Sequence, residues 1–437
     1  MLFHPCPGVY RRLMRARTSA ARAAATTLVL AFVLLGSAPA ASAAATCAFD
    51  ENTGVLQVAL VGSTPAVLMR GTTDEIMLDA VACGTATVMT TDSIVVAGTG
   101  QGQPDDLTLD LSGGPFAPGL NAEIDGGEPE IEIAIDLPGG GSVTIAGGAG
   151  DDALTLGQGG ANLNVDEAVG DADVTLTGTA TFVLAGREGA DTLSIAGGNG
   201  TGDPASDVDV QGGVGDDTLR GAAGGSTLDG GEGIDTMDYS TATDVSADLS
   251  LGTGQPATGG PEDALLGFEN LVGSPGNDLL VGDSGPNQLS GGLGDDALDG
   301  RGGDDDLNGG QGRDVVDLSG AGGAVQVDLG EGTATGQGAD TLDGIENAIG
   351  TDGKDLLRGN GEDNVLQGGE GADEIHGNAG RDTVTGGLGN DRLFGGADTD
   401  TVDGGQGRDQ LDGGDGKDSC TPGPDPDSWT ACERVNL

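Results

Sequence analysis

The chain is poor in aromatic and basic residues. Its 437 residues include ten Phe, Tyr or Trp and 17 Lys or Arg, against 71 Asp or Glu, for a net charge of −54. So few aromatic side chains argue against an ordinary close-packed globular core. So negative a surface repels nucleic acid and anionic membranes and attracts cations. Because 87 residues are glycine, the composition fits either a disordered chain or a fold neutralised by bound metal.

Histidine is almost absent, and this bears on catalysis. Only His376 follows the first 45 residues, so a Ser-His-Asp triad, a His-based zinc site and a Cys-His pair all lack partners. Carboxylate pairs are abundant, yet Tyr239 and Trp429 are the only Tyr and Trp after residue 45, and a sugar-binding cleft would want aromatic platforms. We therefore expect that the protein is not an enzyme. The alternative is a secreted enzyme or effector with its activity in residues 46–230.

Long apolar runs are also missing, apart from one near the start. Residues 1–45 combine five arginines, an apolar stretch over 28–35 and small residues near 41–43, a pattern typical of an export signal peptide. A transmembrane anchor would need about twenty apolar residues. Arg11 and Arg12 leave the choice between the general and twin-arginine routes open. We predict a secreted, extracellular protein without membrane insertion.

Four cysteines remain after the signal, in two pairs that are close in sequence: Cys47 with Cys83, and Cys420 with Cys432. An even number in an exported chain predicts disulfides, each worth about 3 to 4 kcal/mol by the chain-entropy estimate. Zinc is disfavoured by the spacing and by the lack of nearby histidine.

A nine-residue period dominates the second half of the chain. Five units start at Gly273 and every ninth residue to Gly309, and eight more start at Gly350 and continue to Gly413. The sixth position is Asp in eleven units and Asn in two, at Asn287 and Asn364; the eighth is Leu, Ile or Val in twelve and Cys420 in the last. Scattered units of the same form start at Gly147, Gly186, Gly212 and Gly230. The sixth-position aspartates are the candidate metal ligands: Asp152, Asp191, Asp217, Asp235, Asp278, Asp296, Asp305, Asp314, Asp355, Asp373, Asp382, Asp391, Asp400, Asp409 and Asp418.

The chemistry of each unit suits a hard cation. Glycines permit a tight turn with positive φ and expose carbonyl oxygens, and aspartate adds the carboxylate oxygen that Ca²⁺ prefers. The three residues after the turn form a short strand with its apolar middle residue pointing inward, so two units make one coil. Stacked coils place like charges about 4.8 Å apart, which repel by about 0.9 kcal/mol a pair even in water. Without cations the coils should not fold; the alternative is a set of solvated turns that bind nothing.

The units match Gly-Gly-x-Gly-x-Asp-x-apolar-x and so resemble the calcium-binding repeats of RTX (hemolysin-type) proteins. The resemblance implies that each ion lies between the turn of one unit and that of the unit two further on, held by sixth-position aspartates and backbone carbonyls. It implies about nine Ca²⁺ sites in the two blocks. Asn287 and Asn364, which lack the charge, and Glu362 and Asp398, which replace the fourth-position glycine, predict weaker sites.

The expected fold is all-β, a right-handed parallel β-roll or β-helix solenoid with a β-rich N-terminal region. We divide the chain into a signal peptide (1–45), a β-rich region that is either a separate domain or the first coils of the solenoid (46–140), a degenerate β-helix (141–229), the calcium-binding β-roll (230–421) and a disulfide-closed cap (422–437). Residues 230–292 recur as 309–369, so the roll contains a duplicated module. We expect its inserts, 239–272 and 318–349, to form longer strands that cap one face, and Trp429 and Cys432 to return toward Cys420 and cover the open end.

The expected function is that of a secreted protein that binds several Ca²⁺ ions and folds on binding them, with a structural or interaction role. Calcium ions are the predicted partners, and nucleic acid is not one. The sequence does not identify a protein or matrix partner.

Overall fold

A computed structural model describes residues 45–51, 55–60, 65–72, 75–87, 93–98, 106–111, 132–147, 149, 153–157, 162–164, 174–195, 208–221, 225–256 and 262–436. Residues 1–44, which hold nearly all of the predicted signal peptide, lie outside this part, as does Asp152. Every regular element here is a β-strand, as the predicted all-β class requires. No helix that could cross a membrane occurs in the part of the chain that the structure describes.

The strands of the first 238 residues are of mixed length. They are β1 (Thr46–Asp50), β2 (Val55–Leu60), β3 (Ala66–Arg70), β4 (Glu75–Leu78), β5 (Val81–Thr87), β6 (Ser93–Gly98), β7 (Leu107–Asp110), β8 (Glu132–Ala146), β9 (Ala153–Gly157), β10 (Asn162–Asn164), β11 (Val174–Glu188), β12 (Thr192–Ser194), β13 (Val208–Val214), β14 (Thr218–Arg220), β15 (Thr227–Glu232) and β16 (Thr236–Asp238).

The strands that follow are short and regular. They are β17 (Val245–Asp248), β18 (Thr253–Pro256), β19 (Asp263–Leu266), β20 (Asn270–Val272), β21 (Leu279–Val281), β22 (Gln288–Leu293), β23 (Ala297–Asp299), β24 (Asp306–Gln311), β25 (Val315–Asp317), β26 (Gln326–Asp328), β27 (Thr333–Thr335), β28 (Ala339–Asp343), β29 (Asn347–Ile349), β30 (Leu356–Arg358), β31 (Val365–Gly371), β32 (Glu374–Ala379), β33 (Thr383–Gly389), β34 (Arg392–Ala397), β35 (Thr401–Gln406), β36 (Gln410–Asp415), β37 (Ser419–Thr421), β38 (Ser428–Thr430) and β39 (Arg434–Val435).

Parallel pairing between strands 18 residues apart builds the roll. Leu366 on β31 pairs with Val384 on β33, and Ile375 on β32 pairs with Leu393 on β34. Each strand therefore pairs with the next strand but one, and two ladders run along the molecule. Ladder I contains β9, β12, β14, β16, β20, β22, β24, β28, β27, β26, β30, β32, β34, β36 and β38. Ladder II contains β11, β13, β15, β19, β18, β17, β21, β23, β25, β29, β31, β33, β35, β37 and β39. Two nonapeptides make one coil, as predicted.

The eighth position of each unit supplies the core between the ladders. Leu366, Ile375, Val384, Leu393 and Val402 are all fully buried, while their neighbours along each strand are partly exposed. Burying an aliphatic side chain of this size contributes about 1.5 to 3 kcal/mol. A thin core of one apolar residue per strand thus replaces the aromatic filling that the composition lacks.

The N-terminal region forms the first, wider coils of the same solenoid. Val55 on β2 pairs in parallel with Ser93 on β6, 38 residues on, and Ser93 pairs with Glu132 on β8. Antiparallel excursions, β1 against β2 and β3 to β5, fill these wider coils. For residues 46–140, the alternatives were a separate domain and the first coils of the solenoid, and the strand pairing has the form of the first coils. β8 extends across the boundary predicted at 140. The predicted Cys47–Cys83 disulfide is confirmed and joins β1 to β5.

The two inserts differ from the prediction. They form no long strands over one face; instead, β17 to β19 and β26 to β28 are antiparallel meanders of strands three to five residues long, inserted within the ladders. In each meander, the last strand pairs in parallel with the coil before the insert, and the first strand pairs in parallel with the coil after it. An antiparallel meander returns the chain to the next coil without a break in backbone pairing.

The chain end is a further coil. The Cys420–Cys432 disulfide is confirmed, and within the predicted cap, 422–437, β38 and β39 extend ladders I and II in parallel. Trp429 pairs with Leu411 in ladder I, rather than returning to Cys420. Leu411 is only 2% exposed, whereas Trp429 remains 41% exposed. The eighth-position register therefore continues to Trp429, which stays exposed.

Candidate metal centre

Two residues with positive φ bend the chain in most units. In the unit that starts at Gly386, they are Gly387 (φ +111°) and Gly389 (φ +143°), at the second and fourth positions. Some side-chain-bearing residues adopt the same conformation at these positions, as Arg301 and Asp398 do (φ +68° and +80°). Positive φ is costly for such residues, so the coil geometry imposes it.

These turns direct backbone carbonyls along the roll. A Cβ placed on Gly405 or Gly407 would collide with the carbonyl oxygen of Gly387 or Gly389, one coil earlier. The second and fourth carbonyls of one turn thus point into the next turn on the same side. Each side of the roll therefore carries a column of backbone oxygens.

The sixth-position carboxylates form a second column beside the first. One oxygen of each, Oδ1, accepts the backbone N–H of the residue 18 positions earlier, at 2.8–3.0 Å. These donor and acceptor pairs are Asp217 and Asp235, Asp278 and Asp296, Asn287 and Asp305, Asp296 and Asp314, Asp355 and Asp373, Asn364 and Asp382, Asp373 and Asp391, Asp382 and Asp400, Asp391 and Asp409, Asp400 and Asp418, and Asp409 and Asp427. Each carboxylate is thereby fixed by the coil before it.

The other oxygen, Oδ2, is buried and accepts no hydrogen bond in most of these side chains. Those with this orphaned oxygen are Asp217, Asp235, Asp296, Asp314, Asp373, Asp382, Asp391, Asp400, Asp409, Asp418 and Asp427. A buried charged oxygen without a partner costs several kcal/mol. A ladder of such atoms requires a compensating positive charge.

The surroundings of these oxygens fit a hard cation. At Gly386, an added Cβ would lie 2.5 Å from Asp391 Oδ2 and 2.7 Å from the carbonyl oxygen of Gly404, in the next coil. The carboxylate and the carbonyl oxygen thus converge on one space that only glycine leaves open. Ca²⁺ takes six to eight oxygen ligands, backbone carbonyls included, so the residues present suit it.

No group of three or more His, Cys, Asp or Glu side chains in the described residues could hold a metal by itself. This agrees with the geometry, because each turn supplies one carboxylate and several backbone oxygens. The candidate centres are therefore built between turns, mainly from the main chain.

Burial raises the pKa of these carboxyls, and neighbouring carboxylates add to the rise. It brings the pKa of Asp296 and of Asp373 to about 7, against an ordinary value of 3.8. The same cause raises the pKa of Asp382, Asp400 and Asp409 to about 6. The metal-free roll thus holds these groups where ionisation is unfavourable.

The predicted ligands do not all share one environment. Asp191, Asp217, Asp235, Asp296, Asp305, Asp314, Asp373, Asp382, Asp391, Asp400, Asp409 and Asp418 lie in turns of the positive-φ type. Asp278 and Asp355 are as deeply buried, but both of their carboxylate oxygens accept hydrogen bonds from within the chain. Asn287 and Asn364 lie in the same register with their amides bonded to backbone.

Five acidic residues in the carboxylate columns escaped the sequence reasoning. Asp427 is the sixth residue of a fourteenth unit that starts at Pro422, and the nine-residue spacing beyond Gly413 could have revealed it. Glu269, Asp340, Glu346 and Glu433 accept the N–H of Asp235, Asp305, Asp314 and Asp418. The Glu-Asn dipeptide shared by both copies of the module was the available signal for Glu269 and Glu346.

Fold and turns together define a parallel β-roll whose coils are joined on both sides by columns of oxygen ligands. The family model of the RTX calcium-binding nonapeptide repeat matches residues 210–245, 264–296, 281–316, 349–384 and 385–420. The chain thus carries RTX calcium-binding nonapeptide repeats within residues 210–420, as the period predicted. A search of the curated proteins found no match.

Proposed function

We propose that this protein is secreted, folds when its turns bind Ca²⁺, and acts as a structural or interaction module rather than as an enzyme. The observation that carries the proposal is the column of buried Oδ2 atoms without hydrogen-bond partners along the turns. Bound Ca²⁺ would supply positive charge to these oxygens and to the carbonyls beside them. Its binding free energy then becomes folding free energy.

The turns fix the ligands before the ion arrives. The N–H donated to Oδ1 from the preceding coil orients each carboxylate, and the glycines hold the carbonyls in line. Each added coil thus completes the ligand set of the coil before it. Folding and ion binding are expected to proceed together along the stack, as in other repeat arrays with nearest-neighbour coupling.

Secretion is supported by several features. Calcium sites of extracellular modules fill at about 0.1 to 1 mM, and both disulfides suit an oxidising compartment. The net charge of −54 would keep the metal-free chain extended during export. The export signal predicted in residues 1–45 is consistent with this route.

A structural rather than catalytic role is supported by the surroundings of the only histidine after residue 45. His376 stacks on Phe394, with ring centroids 4.5 Å apart, and its Nε2 lies 3.2 Å from Glu374 Oε1. These contacts are made along the outer surface of ladder I. The imidazole thus serves strand packing, so we assign it no catalytic role.

The test is a calcium titration of the full chain, followed by far-ultraviolet circular dichroism, with Mg²⁺ as the matched control. We expect a cooperative gain of β signal with Ca²⁺ and none with Mg²⁺, which prefers a small octahedral site with several waters. No change up to about 10 mM Ca²⁺, far above the range of extracellular sites, would contradict calcium-coupled folding.

A further inference from the structure

Among the nonapeptide turns that the structure describes in full, four differ from the rest. They are residues 273–278, 282–287, 350–355 and 359–364, and together they form one complete coil after each insert. None of residues 273–287 and 350–364, all of which the structure describes, has a positive φ. The preceding strands also stop at the ninth position, whereas the strands before most regular turns continue through the first glycines; β23 and β37 are exceptions. We call these two coils, 273–287 and 350–364, the closed coils.

The second residue of each closed turn replaces glycine and bonds to its own turn. The side-chain oxygens of Ser274, Asp283, Thr351 and Asn360 each accept the backbone N–H two residues on, at 2.7–3.1 Å. These Asx and Ser/Thr turns bend the chain without positive φ. The backbone N–H of each of these second residues then faces the sixth-position side chain of its own turn.

In two closed turns this arrangement satisfies the carboxylate completely. Asp355 Oδ2 accepts the N–H of Thr351 at 2.6 Å, and its Oδ1 accepts the N–H of Val325 at 2.8 Å. The Thr351 hydroxyl lies 3.0 Å from both oxygens. Asp278 is held in the same way by Ser274 and Val245. Neither side chain retains the unpartnered oxygen that marks the regular turns.

In the other two closed turns an amide takes the place of the carboxylate. Asn287 Nδ2 donates to the carbonyl oxygen of Glu269 at 2.8 Å, and Asn364 Nδ2 donates to that of Glu346 at 2.7 Å. Their Oδ1 atoms accept the N–H of Asp283 and of Asn360. In these two turns, an amide N–H therefore contacts the carbonyl oxygen. A cation would otherwise bind that oxygen together with a carboxylate.

The position of the closed coils explains why they recur. On their N-terminal side lie the inserts, which have no nonapeptide turn to contribute a column of carbonyl oxygens. On their C-terminal side the regular turns begin, with Asp296 and Asp373 accepting the N–H of Asp278 and of Asp355. A stack of ions that needs oxygens from two neighbouring turns has to restart here.

We propose that the closed coils are held by protein hydrogen bonds alone, and that their sixth-position side chains bind no Ca²⁺. Each provides a metal-independent base from which the calcium-binding turns of its module extend. The inference rests on the proposed function, since it divides the turns of one calcium-binding roll into two classes. It removes Asp278 and Asp355 from the ligand set that the sequence predicts.

The experiment compares the number of Ca²⁺ ions bound by the full chain and by two double variants, using equilibrium dialysis. Asp278→Asn with Asp355→Asn alters the closed coils; Asp296→Asn with Asp373→Asn makes the same change in charge in the adjoining regular turns. We expect the first variant to bind as many ions as the wild type. The second should lose about one ion per substituted turn, since Ca²⁺ sites depend on their carboxylates.

A crystal structure of the calcium-loaded wild type provides a second measurement that does not depend on either variant folding. Anomalous scattering should place ions beside Asp296 and Asp373 and none in contact with the carboxylates of Asp278 and Asp355. An ion bound to Asp278 or Asp355, or equal calcium loss in both variants, would overturn this proposal and leave the proposed function standing. A wild-type chain that binds no Ca²⁺ at all would overturn both.

Discussion

Each sixth-position aspartate divides its two carboxylate oxygens between two tasks. At Asp391, Oδ1 accepts the N–H of Asp373 and thus holds the coils together. Oδ2 faces the glycine at the start of the same unit and the carbonyl of Gly404. At Asn287 and Asn364, Oδ1 instead accepts an N–H of its own turn, and Nδ2 donates to a backbone carbonyl oxygen of the preceding coil. A ligand turn therefore differs from a closed one in whether it offers a carboxylate Oδ2 that accepts no hydrogen bond.

The fourth-position glycine offers a sharp test of the turn geometry. Gly389 has φ +143°, and a Cβ there would collide with the carbonyl oxygen of Gly371, one coil earlier. We expect Gly389→Ala to lower the free energy of unfolding, measured by urea denaturation in saturating Ca²⁺, by at least about 2 kcal/mol, from backbone strain and collision. The matched control is Gly361→Ala, at the third position of a closed turn, where nothing lies within 4 Å. The control should change stability by less than about 0.5 kcal/mol; equal effects would contradict the assigned turn.

The sequence specified most of the residue-level site because the nine-residue register places every sixth-position side chain alike. It could not separate Asp278 and Asp355 from the rest, since the distinction lies in hydrogen bonds from Ser274 and Thr351 and in the backbone N–H of Val245 and Val325 from the inserts. Val245 and Val325 lie 30 or more residues away from the carboxylates that they contact. A nonapeptide pattern does not show such distant partners.

Among the elements, the coil that contains β38 and β39 carries a covalent bond to the coil before it. The Cys420–Cys432 disulfide ties β37 to the segment between β38 and β39. Since Trp429 on β38 is the only tryptophan of the chain, its fluorescence reports on this coil alone.

Removal of that disulfide should loosen the chain end. We expect Cys420→Ser with Cys432→Ser to cost about 3 kcal/mol by the chain-entropy estimate, and to shift Trp429 emission to longer wavelength at a lower urea concentration. Cys47→Ser with Cys83→Ser removes the other disulfide, far from Trp429 in sequence, and should leave the Trp429 transition in place. An identical shift in both variants would mean that the last coil has no stability of its own.

The strands of the two inserts were not predicted correctly from the sequence. Their strands, such as β17 and β27, have three to five residues and contain Ser, Thr, Asp or Gly, so the alternation that marks a strand spans too few positions to be read. Their antiparallel pairing depends on contacts with the coils on either side. By contrast, the units from Gly350 to Gly413 each repeat one local solution, and their strands follow directly from the period.

At the scale of the whole molecule, acidity dominates. The carboxyls of Asp296, Asp373, Asp382, Asp400 and Asp409 have pKa values of about 6 or 7 in the fold, above the ordinary 3.8 of an unfolded chain. The folded chain therefore binds protons more tightly than the unfolded chain does. Without Ca²⁺, the destabilisation from these groups is absent below about pH 4 and grows as the pH rises to about 7.

This linkage predicts that protons partly replace calcium. In calcium-free buffer, the β signal and the melting temperature of the full chain should be higher at about pH 5 than at about pH 7.5. With saturating Ca²⁺ the order should reverse, because protons then compete with the ion for the same oxygens. A calcium-free chain that is more ordered at pH 7.5 than at pH 5 would contradict the raised pKa values.

The two inserts occupy different ladders. The meander β17 to β19 replaces one strand of ladder II, whereas β26 to β28 replaces one strand of ladder I. Successive strands alternate between the two ladders, and two of them make one coil. The inserts lie in different ladders, so one copy of the module contains an odd number of strand positions and ends half a coil out of step with its start. Consecutive copies consequently present the same insert in opposite directions. A flat surface could therefore contact one insert but not both at once.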